Sequence, residues 1–500
     1  MALPYELRKK QDQIEDWARQ YGLDPFETIF EMVDYRRMNE VASYGGFPVR
    51  YPHWRFGMDF ERMFKSHTYG LSMIYELVIN NDPSYAYLLE GNAMVIQKLV
   101  MAHVMGHSDF FKNNAFFEPT NRKMLDEMAN HATRVRRYME QYGVDRVESF
   151  IDTCLSLENL IDIHAPYRKS NTEAMSDSTE KQRAASGDDV PHAESSMRPY
   201  VASFIADTQR AKQRKSSKHP TENMAELTKI PPKSRRDVLT FLLEQAPLAE
   251  WERNILEIVR DEAYYFAPQG MTKIMNEGWA VYWHSTIMTE RAMTDAEVVD
   301  YAQVTAGVTA TSGAQLNPYA IGVALFRDIE DRWNKGRFGR QWDECQDISI
   351  RSNWDIKLGL GREKIFEVRR FYNDITFIDE FFTEDFCRRH RFFNFSYNSN
   401  HERWEIESRE FPKIKNRLLS MLTNFGQPRI VVEDANWRNR GELLLKHLFD
   451  GEELKLDEAQ ATLENLHRVW TRPVHIMTIR EDKPITLSYD GATHEEKART

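Results

Sequence analysis

Apolar residues recur at helical spacing through most of the first 385 positions, and this period is the first thing the chain specifies. Leu7 to Tyr21 predicts one helix, and Asp24-Pro25 opens a second predicted helical series from Phe26 to Met38. Tyr44 to Gly57 is dense in Gly, Pro and aromatic residues, which predicts an ordered loop capping the bundle. Helix is expected again around Phe60, where His67 continues the row Leu71, Ile74, Val78 and reads as structural. Asn80-Asn-Asp-Pro83 marks a boundary, and Ser84 to Asn114, apolar on most faces, predicts a helix at the centre of a bundle. Asn121 to Tyr142 and Asp145 to Ile163 predict two more, divided by Gly143.

The period then fails. Residues 166–234 are rich in Ser, Lys, Asp and Glu and too poor in apolar residues to build a core, so a mobile polar insertion is expected, with a short helix near Tyr200 to Gln209. The basic run Lys212 to Lys218 reads as solvated linker or as a dock for an acidic partner. Helical spacing returns in Glu250 to Phe266, Lys273 to Thr289 and Asn317 to Trp333. Beyond Thr383, short aromatic or β-branched runs (Phe392 to Tyr397, Arg429 to Glu433, Val474 to Ile479) flank a helix around Asp457 to Trp470. The expected fold is mainly α with an α+β C-terminal module: a helical domain from 1–165 and 235–385, the insertion 166–234, and the module 386–500.

Composition narrows the class. The 500 residues are 41% hydrophobic and 12% aromatic, enough for a large core and, by length, about two to four domains. No run approaches a membrane span, and the first residues carry no apolar signal core, so a cytoplasmic protein is expected. Three scattered cysteines, Cys154, Cys345 and Cys387, form no CxxC pair and fit a reducing compartment. A net charge of −11 argues against a nucleic-acid binder.

Chemistry enters where titratable residues interrupt apolar rows. His103 and His107, one turn apart, prolong the row Ile96, Val100; Glu277 and His284 lie in the row Ile274, Glu277, Val281, His284, Met288. A buried imidazole or carboxylate must be neutralised, hydrogen-bonded or metal-bound, because an unpaired buried charge costs several kcal/mol. His103, His107 and Glu277 form a ligand set that suits zinc or another divalent ion, with His284 a fourth ligand or a group orienting one. The competing reading for each is an ordinary hydrogen-bonded core residue. Glu158, Glu262 and His131 also fall on predicted buried faces and admit the same two readings.

These residues carry a resemblance. His67-Thr-Tyr-Gly-Leu-Ser, Tyr87-Leu-Leu-Glu-Gly-Asn, Met101 to Asn114, Leu157 to His164, Glu262-Ala-Tyr-Tyr-Phe, Thr272 to His284, Ile329 to Gly339 and Phe377-Ile-Asp-Glu-Phe resemble the SpoVR (stage V sporulation protein R-like) family. The likeness covers nearly everything outside the insertion, with Met105 where that pattern usually has Tyr. It implies a cytoplasmic bacterial protein linked to spore cortex assembly or stress adaptation, beside a serine protein kinase partner. Locally, His103-x-x-x-His107 with Glu277-Gly-Trp-Ala-x-Tyr resembles the thermolysin-like zinc peptidases, which implies a helical metallopeptidase-like catalytic domain. Val104 departs from that pattern, since those enzymes place the water-activating Glu there. A base is then needed from elsewhere: Glu262 first, then Glu90 and Glu158.

Three functions follow as expectations. The first is a zinc-dependent hydrolase of amide bonds in a peptide-like substrate, with cell-wall peptides suggested by the family's link to the cortex. The second is a non-catalytic partner or scaffold of the kinase system, which Val104 favours. The third is a di-iron carboxylate protein, for which the nearest Glu/His pair, Glu127 and His131, is spaced four apart where three is needed.

Overall fold

The computed structural model describes residues 3–68, 76–168, 229–310, 316–398 and 403–498. The short helix expected near Tyr200 to Gln209, the run Lys212 to Lys218 and most of the insertion lie outside these residues, as do Leu71 and Ile74 of the His67 row. Two compact units divide the chain, Met1–Phe150 with Tyr264–Gly426, and Ile151–Ala263 with Gln427–Thr500.

In chain order the described helices are α1 (Tyr5–Gln20), α2 (Tyr35–Ser43), α3 (Trp54–Thr68), α4 (Met94–Asn113), α5 (Met124–Tyr142), α6 (Val144–Ser156), α7 (Val238–Gln245), α8 (Glu250–Met271) and α9 (Lys273–Ile287). They continue with α10 (Val298–Val308), α11 (Pro318–Lys335), the short α12 (Arg340–Glu344) and α13 (Ile348–Ser352), α14 (Gly361–Phe371), α15 (Asp374–Phe381), α16 (Glu384–Arg389), α17 (Phe411–Leu422) and α18 (Leu456–Trp470). The protein is mainly helical, as the periodicity predicts, and among the described residues no helix is long and apolar enough to cross a membrane.

The first unit is built around α4 and α9, which pack on each other; α1 covers α4 and α11 covers α9. Their buried faces share one core that includes Ile14, Val100, Trp279, Phe326, Val368 and Phe377. Small residues set the helix spacing. A Cβ on Gly106 of α4 would meet the Ala280 Cα of α9 at 2.7 Å, and one on Gly322 of α11 would meet the Gly278 Cα of α9 at 2.7 Å. Asp109 braces the same junction: its carboxylate accepts from the Trp279 indole N–H at 2.8 Å and the Asp24 backbone N–H at 2.8 Å, with the Arg369 guanidinium at 3.4 Å.

Two predicted helices are corrected here. Phe26 to Met38 is strand β1 (Thr28–Val33) followed by α2, and the stretch expected as one helix from Ser84 is strand β3 (Ser84–Leu89) followed by α4. With β2 (Glu76–Ile79) they form a sheet of order β1-β3-β2, β1 parallel and β2 antiparallel to the central β3. In β1, Thr28, Phe30 and Met32 are buried while Ile29 is exposed, a period of two that pairing imposes. A central strand covered on both faces reads as a continuous apolar run, which periodicity alone does not separate from a buried helix. The helix expected to reach Ile163 ends at Ser156, and a 3-10 turn follows at Glu158–Leu160. The aromatic loop holds, with Phe47 and Tyr51 buried, although α3 begins inside it at Trp54. A two-stranded ribbon of β4 (Asn394–Asn398) and β5 (Arg403–Ser408) also belongs to this unit.

The second unit carries a five-stranded sheet of order β10-β9-β8-β7-β6, from β6 (Ile430–Trp437), β7 (Glu442–His447), β8 (Val474–Arg480), β9 (Lys483–Tyr489) and β10 (His494–Ala498). Only β7 and β8 pair in parallel, joined through α18, which packs on β8 and β9. The α+β character toward the C-terminus is as expected, while the β4–β5 ribbon, expected within the module 386–500, falls in the first unit.

Candidate metal centre

Helical spacing aims His103 and His107 along one face of α4, and the Gly106 contact brings that face against α9 where Glu277 sits. All three side chains are buried. Glu277 Oε2 lies 3.6 Å from His103 Nε2 and 3.4 Å from His107 Nε2. One candidate ligand atom from each of the three lies within 4.8 Å of the others.

The surrounding groups orient these side chains. His107 Nδ1 donates to Asn276 Oδ1 at 2.9 Å, so Nε2 is the ring nitrogen turned toward Glu277. His103 Nδ1 lies 2.8 Å from His284 Nδ1, so His284 stands behind His103, on the side away from Glu277. Lys273 donates to Glu277 Oε1 at 2.6 Å, leaving Oε2 directed at the imidazoles. Burial pushes the Glu277 carboxyl up, but the two imidazoles and Lys273 outweigh it and hold it well below the usual carboxylate range. The start of α9 is fixed by Asp374, whose carboxylate accepts from the backbone N–H of Ile274 at 2.8 Å and of Met275 at 2.9 Å. Burial pushes Asp374 up to about 7.

The distances bear on what the cluster can hold. Spacings of 3.4 and 3.6 Å are long for N–H···O hydrogen bonds, which cluster at about 2.7–3.2 Å. Bonds of about 2.0–2.2 Å in a tetrahedral zinc set place neighbouring donors roughly 3.3–3.5 Å apart. The two carboxylate-to-imidazole spacings thus match edges of such a set, with candidate ligand atoms of the two imidazoles within 4.8 Å of each other, and two imidazoles with a carboxylate are donors that suit a divalent ion of the zinc type.

The other candidates are placed as follows. Val104 is fully buried in α4. Glu90 is exposed just past β3, more than two turns ahead of His103. Glu158, half-buried, and Glu262, buried, belong to the second unit. His131 is buried on α5 with Glu127 Oε2 4.0 Å away, and Glu127 is 46% exposed, so this pair stands on a different helix from the cluster. Sequence reasoning does not reach Asn276, Lys273 or Asp374. The first two carry a faint signal, since Asn276 adjoins Glu277 and Lys273 precedes it by four, a spacing at which opposite charges meet on a helix even in this less favourable order.

The family profile described as "SpoVR like protein" matches residues 3–427, and that described as "SpoVR-like C-terminal domain" matches residues 428–481. An Escherichia coli (strain K12) protein, "Uncharacterized protein YcgB", is 30% identical over 513 residues, spanning 95% of this chain and 92% of its own. No solved structure matches this chain. With both profiles matched in sequence and the buried His/Glu cluster lying within the first, the chain belongs to the SpoVR-like family.

Proposed function

We propose that this chain binds one divalent ion, zinc by its donor set, and is a metal-dependent hydrolase of amide bonds. The observation that carries the reading is Glu277 Oε2 facing two imidazole Nε2 atoms at tetrahedral-edge spacing, with Asn276, His284 and Lys273 engaging the outer atoms of the same three side chains. His103, His107 and Glu277 hold the ion, which when bound polarises a carbonyl and acidifies water. Asn276 fixes the His107 tautomer. With His103 Nδ1–H as the donor to His284, His103 presents Nε2 to the ion as His107 does, and Lys273 limits Glu277 to one ligating oxygen. Three protein ligands leave a fourth position for substrate, the arrangement of catalytic zinc sites. A peptide-like substrate agrees with the local likeness to zinc peptidases.

One observation favours a second reading. Val104 is apolar and fully buried where those peptidases carry their water-activating Glu. In this reading the ion is structural and the chain acts as a non-catalytic partner in a serine protein kinase system.

The test is metal content and turnover in the same samples. Full-length protein purified without chelators should carry about one zinc per chain, and His103→Ala and Glu277→Gln should fall below about one tenth. Wild type that takes up no zinc even when zinc is supplied overturns the metal reading. Stoichiometric zinc without hydrolysis across a peptide mixture favours the second reading.

A further inference from the structure

One turn past Glu277, the same face of α9 borders a cavity of about 420 Å3, the size of a small-ligand site. None of the three candidate ligands lines it. Val281 and Ser285 of α9 form one wall and follow Glu277 at intervals of four. Ala320, Val323, Ala324 and Arg327 of α11 form the facing wall, and Thr305 and Thr309 of α10 a third.

The cavity has a direction because α9 and α11 run side by side in parallel. Gly278 packs on Gly322 near one end, and Arg327 Nη2 donates to Ser285 Oγ at 3.1 Å near the other. Glu277 therefore shares its end with Tyr319, whose ring centroid is 6.3 Å from that of His103, and Arg327 lies toward the other end, where Asp328, Asp331, Arg389 and His390 also line the cavity. Residues 277 to 285 span about 12 Å at 1.5 Å per residue, the reach of three or four extended peptide residues.

Charge at the far end is uneven. Asp328 pairs with Arg332 at 2.8 Å and Arg389 at 2.5 Å, and Asp331 with Lys335 at 2.6 Å. Among the described residues Arg327 pairs with no carboxylate and is held only by the Ser285 hydroxyl. Between this cation and the metal ligands the walls are alanine, valine and threonine, which leave room for small side chains.

We propose that this cavity binds the carboxyl-terminal residues of a short peptide with small side chains, its terminal carboxylate on the Arg327 guanidinium. That it serves as the downstream half of a hydrolase site rests on the metal reading above; binding of the peptide does not. A planar guanidinium suits bidentate carboxylate recognition.

Calorimetric titration of the full chain with N-acetyl-Ala-Ala, its C-terminal amide, acetate and inorganic phosphate tests this, with zinc measured in every sample. The acid should bind about tenfold or more tighter than the amide, and Arg327→Gln, an exposed position, should erase that preference without changing zinc content. Equal binding of acid and amide, a preference that survives Arg327→Gln, acetate or phosphate binding as tightly as the dipeptide, or no saturation by about 10 mM each overturns the proposal. Glu277→Gln separates the two readings. An acid preference retained in wild type and variant when neither holds zinc keeps the cavity and removes the metal centre; stoichiometric zinc in wild type with no acid preference does the reverse.

Discussion

The Nδ1 atoms of His103 and His284 lie 2.8 Å apart, so one ring donates and the other accepts. This pair, with His107 and Asn276, fixes which nitrogen of each α4 histidine faces Glu277. Outer partners of this kind change metal affinity without creating or abolishing the site. His284→Ala and Asn276→Leu should each weaken zinc binding by about 10–100-fold in a competitive chelator titration, while His103→Ala should abolish it. Loss of binding in His284→Ala as complete as in His103→Ala would make His284 a ligand.

Gly106 sets the α4 to α9 distance on which the cluster depends. Gly106→Ala places a Cβ 2.7 Å from the Ala280 Cα, and the backbone there cannot rotate away. The expected loss is about 1–3 kcal/mol in urea denaturation, against a helix-propensity gain of at most about 1 kcal/mol, with weaker zinc binding. Gly307→Ala on α10, where an added Cβ meets nothing within 4 Å, should be neutral or stabilising. Matching effects in the two variants would remove the packing argument.

Asp374 gives a pH dependence whose sign is fixed. Its folded value, pushed up to about 7 by burial, exceeds the unfolded value of about 3.9. The folded chain therefore keeps a proton that the unfolded chain releases, and the stability this contributes is complete below about pH 4 and lost as pH rises through 7. Three units set an upper bound of roughly 4 kcal/mol. Glu277 has the opposite sign, its contribution present above about pH 4.3 and lost as pH falls below that. Wild type should thus lead Asp374→Asn by more at about pH 5 than at about pH 8, compared by urea midpoints. An equal gap at both contradicts the assignment.

The cluster was legible because His103, His107 and Glu277 break apolar rows of long, strongly periodic helices, so the 3.6-residue period alone turns them inward. Their orienting groups were not. Asn276 and Lys273 are unremarkable on a helix until the fold places His107 and Glu277 beside them, and Asp374 reaches α9 from 100 residues away. Strands β1 and β3 were hidden for a related reason: Thr28 pairs with Ser84, and no local pattern reports a partner that distant. Gly106, Gly278 and Gly322 lower helix propensity, a local fault that only close helix packing explains.

The most direct measurement is zinc K-edge absorption fine structure on the zinc-loaded full-length chain. Two imidazole nitrogens and a carboxylate oxygen at about 2.0–2.2 Å in a four-coordinate shell are predicted, with one imidazole lost in His107→Ala. A shell without imidazole scattering, or one with sulfur at about 2.3 Å, would contradict a centre built from His103, His107 and Glu277.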